Sequence, residues 1–193
     1  MYYFVHFDMM NENILERKYS NDKAIRLKSE FYTRDVLDVA PDLIGKILTV
    51  RKSDNSIVRY MITETEAYRG KEDRACHASK GLTPRNKVMY GKGGLVYVYF
   101  VYGMYWMLNV VTGAENEPQA ALIRGVKGFN GPGKLTKALG IDGSYYGEDL
   151  ASSEKIWIED NGFDVSYFTT NRVGIDYAGE PWVSLPWRFI LKT

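Results

Sequence analysis

Between Leu95 and Val111 two seven-residue runs, rich in aromatic and β-branched residues, are separated only by Tyr102-Gly103-Met104. A connection that short allows nothing but a reversal, so the two runs must pair antiparallel as a hairpin. Lys46 to Lys52 and Ile57 to Glu66 flank the polar cluster Ser53-Asp54-Asn55-Ser56 and predict a second hairpin. Gln119 to Val126, Lys155 to Glu159, Arg172 to Asp176 and Trp187 to Leu191 are further strand candidates. Helical signals are sparse. Thr33 can N-cap Arg34 to Ala40, Pro41 can open another helical turn with Gly45 behind it, and Asn11 to Tyr19 can form one short helix. Gly131-Pro132-Gly133 leads into Lys134 to Leu139, with Gly140 placed to end the helix. Hairpins with a few helices and no βαβ rhythm predict the α+β class. The expected architecture is a single compact domain with a curved, largely antiparallel β-sheet, flanking helices and a protruding β-hairpin. Residues 1–30, charged and aperiodic after the opening aromatics, read as an N-terminal extension of open role ahead of a domain at 31–193.

A chain of 193 residues, 45% hydrophobic, can bury one substantial core. Its net charge of +1 conveys nothing about polyanions when averaged over the chain. The distribution conveys more. No Asp or Glu occurs between Asp73 and Glu115, whereas Arg74, Lys80, Arg85, Lys87 and Lys92 fall in that window, which makes it the expected phosphate-facing region. One cysteine, Cys76, and two histidines, His6 and His77, give neither an internal disulfide nor a cluster with metal-ligand spacing. A reducing, cytoplasmic setting is expected. The N-terminus lacks a basic n-region and has Asp8 among its apolar residues, so no signal peptide is expected, and no apolar run approaches the roughly 20 residues of a membrane helix.

Three segments can carry chemistry. In Glu64-Thr65-Glu66-Ala67-Tyr68, strand alternation puts Glu64 and Glu66 on one face, together with Ile62 and Tyr60. A carboxylate there is either paired in a salt bridge or has the raised pKa of a general base, and two neighbouring carboxylates also suit a sugar glycosidase. In the aromatic hairpin, Tyr97 and Tyr99 share a face and can form one wall of a slot for a flat ring. Tyr102 sits at the turn before a glycine and projects from the tip, placed to wedge into a base stack, although tyrosine-rich strands are more often plain core. His77 is either a satisfied structural group or a site residue, and Thr83-Pro84-Arg85-Asn86 can present Arg85 to an anion. Asn109, inside an otherwise apolar strand, must find partners, and a bulge or turn would supply them.

In this order, ETEAY at Glu64 to Tyr68, EDxACH at Glu72 to His77, TPRN at Thr83 to Asn86 and VYVYFVYGMYWMLN at Val96 to Asn109 resemble the alkyladenine (3-methyladenine, methylpurine) DNA glycosylase family. LIRG at Leu122 to Gly125, GPGKLTKALGI at Gly131 to Ile141, and RVGIDYAGE with PWRF between Arg172 and Phe189 continue the likeness, which covers about residues 31 to 192. The resemblance implies a monofunctional DNA glycosylase of base excision repair. It would flip alkylated or deaminated purines (3-methyladenine, 7-methylguanine, hypoxanthine, ethenoadenine) out of duplex DNA and hydrolyse the N-glycosidic bond. It implies Glu66 as the base that activates water, with that water also held by the backbone at Arg124 and Val173. Tyr68, His77, Tyr99 and Asn109 would form the base pocket, the two tyrosines sandwiching the base and Asn109 clashing with the exocyclic amine of a normal guanine. Tyr102, with Met104 beside it, would fill the gap left in the duplex, and Arg85, Lys87 and Lys92 would meet the DNA backbone. No cofactor or metal, no membrane partner and a monomeric enzyme on double-stranded DNA are expected. Two other classes fit part of the pattern. A non-catalytic damaged-DNA binder would need Tyr102 and the basic window but not Glu66, and a carbohydrate glycosidase would use Glu64 and Glu66 but not a tip tyrosine.

Overall fold

A computed structural model describes residues 24–192. Every named strand pairing in it is antiparallel. In chain order, β1 (Ile25–Arg26), α1 (Ser29–Tyr32) and α2 (Val36–Asp42) precede the hairpin of β2 (Ile47–Arg51) and β3 (Ile57–Arg69). Then come the aromatic hairpin of β4 (Val96–Val101) and β5 (Tyr105–Thr112), β6 (Gln119–Val126), β7 (Phe129–Asn130) and α3 (Pro132–Leu139). β8 (Ile156–Asp160), β9 (Tyr167–Thr170) and β10 (Arg188–Leu191) complete the sheet. Its main path runs β1-β8-β2-β3-β6-β5-β4, with β10 joining β3 to β9 and β7 extending β6. The α+β reading and both predicted hairpins hold.

The thirteen-residue β3 is the backbone of the assembly, because its first half pairs β2 while its second half pairs β6 and β10. One face of the sheet packs Val98, Val110, Ala121 and Ile123 with α2 and α3 into the main core. Burial of that face supplies most of the driving force for folding, at about 25 cal/mol per Å² of apolar surface. The opposite face around β4, β5 and β6 is lined by a second, smaller cluster that includes Tyr97, Met89 and Ala120.

Several expectations are corrected. Asp35, not Thr33, caps α2, its carboxylate accepting from the Leu37 N–H at 2.9 Å, while Thr33 closes α1. Pro41 opens no new helix. It lies in the last turn of α2, where its fixed φ fits and the missing N–H removes a single bond. Arg172 to Asp176 is not a strand: Gly174 takes φ +75° and the Val173 N–H bonds to a side chain instead of a ladder. β9 was not foreseen, and its four residues are mostly exposed and lack a core-facing pattern. Residues 25–30, assigned from the sequence to the extension, contribute β1, the core residue Leu27 and the start of α1. The helix expected at Asn11 to Tyr19 lies outside the described residues.

Candidate active site

The site is a row of side chains that cross-strand register assembles. Tyr97 on β4 faces Asn109 on β5, Asn109 faces Leu122 on β6, Leu122 faces Glu66 on β3, and Glu66 faces Arg188 on β10. Neighbouring strands lie about 4.8 Å apart, so residues far apart in sequence converge within a few strand spacings. Two residues further along each strand, Tyr99, Met107, Ala120 and Tyr68 project from the same face, and together they line a cavity of about 330 Å³. Small-molecule sites commonly span about 300–1,000 Å³. Ala120 matters by being small, since a large side chain there would occupy the middle of the cavity.

A bulge completes the arrangement. Pairing of β3 with β6 shifts register between Ile62 and Glu64 and again between Glu64 and Thr65, leaving Arg124 between the paired Ile123 and Gly125. The parity of β3 therefore reverses: Ile62 and Ala67 both enter the main core, although they are an odd number of residues apart. Glu64 and Glu66 do share a face, but not with Ile62 as simple alternation predicts. The same bulge turns the Arg124 side chain towards both carboxylates.

Glu66 is fully buried, yet its oxygens are provided for. The Tyr68 hydroxyl donates to Oε2 at 2.8 Å, the Val173 N–H donates to Oε1 at 2.8 Å, and Arg124 stands 3.4 Å from Oε1. Burial raises its pKa above the usual carboxylate range, against the opposing pull of Arg124, the Val173 N–H, the Tyr68 hydroxyl and Arg188. A carboxylate so placed holds a proton more readily than one in water, which suits it to accept one. Of the two backbone positions expected beside it, Val173 donates to the base itself and the Arg124 carbonyl accepts from the Gly131 N–H. Arg124 enters the site through its guanidinium.

The remaining expected residues divide between wall, tip and rim. His77 Nδ1 shares a 2.8 Å hydrogen bond with the Tyr97 hydroxyl, and its ring packs edge-on to Tyr99 with centroids 4.6 Å apart. Burial, aided by Arg85 and Lys80, lowers its pKa to about 4, so the imidazole is neutral at pH 7. Asn109 sits in regular register without a bulge, its amide N–H groups donating to the carbonyls of Tyr97 and Met107 at 3.1 and 3.3 Å. Its acceptor oxygen has no hydrogen-bond partner among the described residues. Tyr102 and Gly103 both take positive φ, +52° and +66°, and Tyr102 is 86% exposed with Met104 at 63%. A tyrosine held left-handed at an exposed tip is strained without any packing to repay it, a pattern associated with function. Arg85 lies over the Tyr99 ring, 5.0 Å from its centroid, and donates to the Phe100 carbonyl at 3.0 Å. Lys87 is exposed with no carboxylate partner among the described residues, whereas Lys92 pairs with Asp149 at 3.0 Å.

Sequence reasoning missed the supports behind this wall. Arg172 and Asp73 form a fully buried bidentate pair, with Arg172 also donating to the Ala67 carbonyl and lying 4.9 Å from the Tyr68 ring centroid. Cys76, one turn away, is buried with its thiol pushed up to about 12, and is therefore inert. Nothing local in RVGID separates this arginine from a surface one; the signal was its match to Asp73, 99 residues earlier.

The family model for methylpurine-DNA glycosylase matches residues 30–130 and 127–193. The chain belongs to the methylpurine-DNA glycosylase family. A relative in Desulfitobacterium hafniense is 45% identical over 195 residues, covering 86% of this chain and 95% of its own. Relatives in Methanocella arvoryzae and Rickettsia felis are 42% and 41% identical, covering 86% and 88% of this chain and 92% and 95% of theirs. All three are provisionally named 3-methyladenine DNA glycosylases. The enzyme class of this methylpurine-DNA glycosylase family member is thus a hydrolase of N-glycosyl bonds in DNA, and its place is DNA repair. No described helix is long and apolar enough to cross a membrane.

Proposed function

We propose that this glycosylase flips an alkylated or deaminated purine nucleotide from duplex DNA into the cavity and hydrolyses its glycosidic bond there, leaving an abasic site. The observation that carries the proposal is a buried, proton-seeking Glu66 directly beneath the floor of an aromatic cavity, hydrogen-bonded to its lining residues Tyr68 and Val173, with an exposed, strained tyrosine flanking the mouth. Glu66 takes a proton from water, the water oxygen bonds to C1′, and the C1′–N bond breaks with its electron pair leaving on the purine. A cationic base such as 3-methyladenine or 7-methylguanine departs neutral without help. Neutral hypoxanthine or ethenoadenine must gain a proton as it leaves, so cationic lesions are cleaved faster.

The neutral His77 supports this reading, since a protonated imidazole would repel a cationic purine. In the tautomer whose Nδ1 accepts from the Tyr97 hydroxyl, the other ring nitrogen carries the proton and is a donor for the base edge. Tyr68 and Tyr99 stack on the base, where cation–π attraction to an alkylpurine contributes about 0.5–2 kcal/mol. Asn109 lines the cavity where its side chain would clash with the exocyclic amine of normal guanine. Tyr102 and Met104 fill the vacated stack, and Arg85, Lys87 and Lys92 meet phosphates, Lys92 by exchanging Asp149 for DNA. The protein acts as a monomer without a cofactor, in the cytoplasm, associated with the nucleoid in a bacterial cell.

Release of free base from a duplex carrying 3-methyladenine or hypoxanthine tests the proposal, with the product strand probed by alkali. Free base together with an alkali-labile but unbroken strand is expected. Strand breakage by the protein itself, lost on mutation of a lysine, would contradict it. Release of sugar from oligosaccharides in place of bases from DNA would favour a carbohydrate glycosidase.

A further inference from the structure

Two arginines converge on one carboxylate oxygen beside the base. Glu64 Oε1 accepts from Arg124 Nε at 2.9 Å and from Arg188 Nε at 2.6 Å. From that anchored position Arg124 approaches Glu66 no closer than 3.4 Å. Register accounts for the convergence: Arg188 opposes Glu66 and Ile190 opposes Glu64 across β3 and β10, while the bulge delivers Arg124 from β6. Gly125, opposite Glu64, leaves the space for it, because a Cβ there would lie 3.1 Å from Thr63 Oγ1 and 3.2 Å from Glu64 Cβ. Guanidiniums held this close repel one another unless a carboxylate lies between them. Glu64 and Glu66 together balance Arg124 and Arg188.

We infer that Glu64 is a positioning residue for the hydrolysis: it anchors Arg124 and Arg188 away from Glu66 and cancels one of their charges, leaving Glu66 free to accept a proton and the sugar free to become positive. The inference rests on the proposed role of Glu66 as base. Facing Glu66 are Glu64 and the Tyr68 hydroxyl from β3, Arg124 from β6, Arg188 from β10, Tyr99 from β4 and the Val173 N–H from the loop before the last strand. The two tyrosines are neutral at any working pH, since burial pushes both of their pKa values up. The charge balance around Glu66 is therefore set by Glu64 and the two arginines. Without Glu64, two cations face one anion, Arg124 closes onto Glu66, and an oxocarbenium-like sugar forms against an uncompensated positive charge.

Single-turnover excision of hypoxanthine between pH 5 and 9 tests this in wild type, Glu64→Gln, and Glu64→Gln combined with Arg188→Met. Glu64→Gln is expected to lower the plateau rate about 100-fold, as displaced catalytic groups commonly do. Its acid limb should move down by about one pH unit, because an unopposed cation favours the charged carboxylate. The double variant again sets one cation against one anion, and should recover at least about tenfold of the rate and return the acid limb towards wild type. A Glu64→Gln enzyme with wild-type rate and acid limb would overturn the inference. So would a loss that the double variant leaves unrepaired, which would make Glu64 a brace for the sheet. Glu66→Gln in the same series separates the two readings: wild-type excision by that variant would remove the base itself, whatever Glu64 does.

Discussion

Glu66 and Tyr102 belong to the same sheet but are treated in opposite ways. Glu66 is fully buried and receives hydrogen bonds from Tyr68 and Val173, with Arg124 bonded to Glu64 and standing 3.4 Å off. Tyr102 is 86% exposed, strained in the left-handed region, and makes no hydrogen bond among the described residues. The floor is organised before substrate arrives, which is where electrostatic catalysis gains most, because dipoles already in place need not reorganise. The tip is left unsatisfied, as its proposed role as a wedge in the base stack requires. A chain built this way should separate its stability from its DNA entry, residue by residue.

The largest effect that sharpens this contrast is on stability. Asp73→Ala strands the buried Arg172 behind Tyr68, and denaturant unfolding should show a loss of about 3–5 kcal/mol. A loss below about 1 kcal/mol would break the picture of a rigid floor. Tyr102→Ala should do the reverse. Its stability should stay within about 0.5 kcal/mol of wild type, while kcat/KM on duplex DNA falls about 10–100-fold through the lost wedge. An equal fall on single-stranded DNA would show that Tyr102 is not acting on the stack.

Smaller effects follow from His77 and Lys87. The folded pKa of His77 is lowered to about 4, below the value of about 6.5 in an unfolded chain, so the unfolded state takes up the proton first as pH falls. The neutral-histidine contribution is therefore complete above about pH 6.5 and lost as pH drops towards 4. With solvent screening of a partly exposed ring, this contribution is on the order of 1 kcal/mol. Stability curves of wild type and His77→Gln should converge across that window, and parallel curves would contradict the assignment. Lys87→Ala should reduce the slope of log binding constant against log salt by about 0.9 without changing lesion preference. An unchanged slope would place Lys87 off the DNA face.

The hairpins, β6 and α3 were legible because short polar turns, alternation and the Gly-Pro-Gly and Gly140 brackets are local signals. The pocket wall was legible for the same reason: Tyr97 and Tyr99 lie two residues apart on one strand. The bulge at Glu64 was not legible, since neither Thr63 nor Arg124 differs in type from a regularly paired residue. It is the bulge that sends Arg124 to the carboxylates and turns Ile62 into the core. Arg172 was misread as part of a strand because its partners, Asp73 and the Ala67 carbonyl, lie about a hundred residues earlier. Which residues face the cavity was thus written in periodicity, while the charged cage behind it depended on contacts that only folding brings together.

In the proposed mechanism Glu66 performs the chemistry while the walls and tip hold the DNA. Comparing wild type with Glu66→Gln for base release and for binding to a lesion-containing duplex tests it most directly. Release should fall about 100- to 10,000-fold, with lesion-selective binding kept and stability changed by less than about 1 kcal/mol. Release by Glu66→Gln at the wild-type rate would contradict it, and release by neither protein, with selective binding by both, would mark the cavity as a damage-recognition site without catalysis.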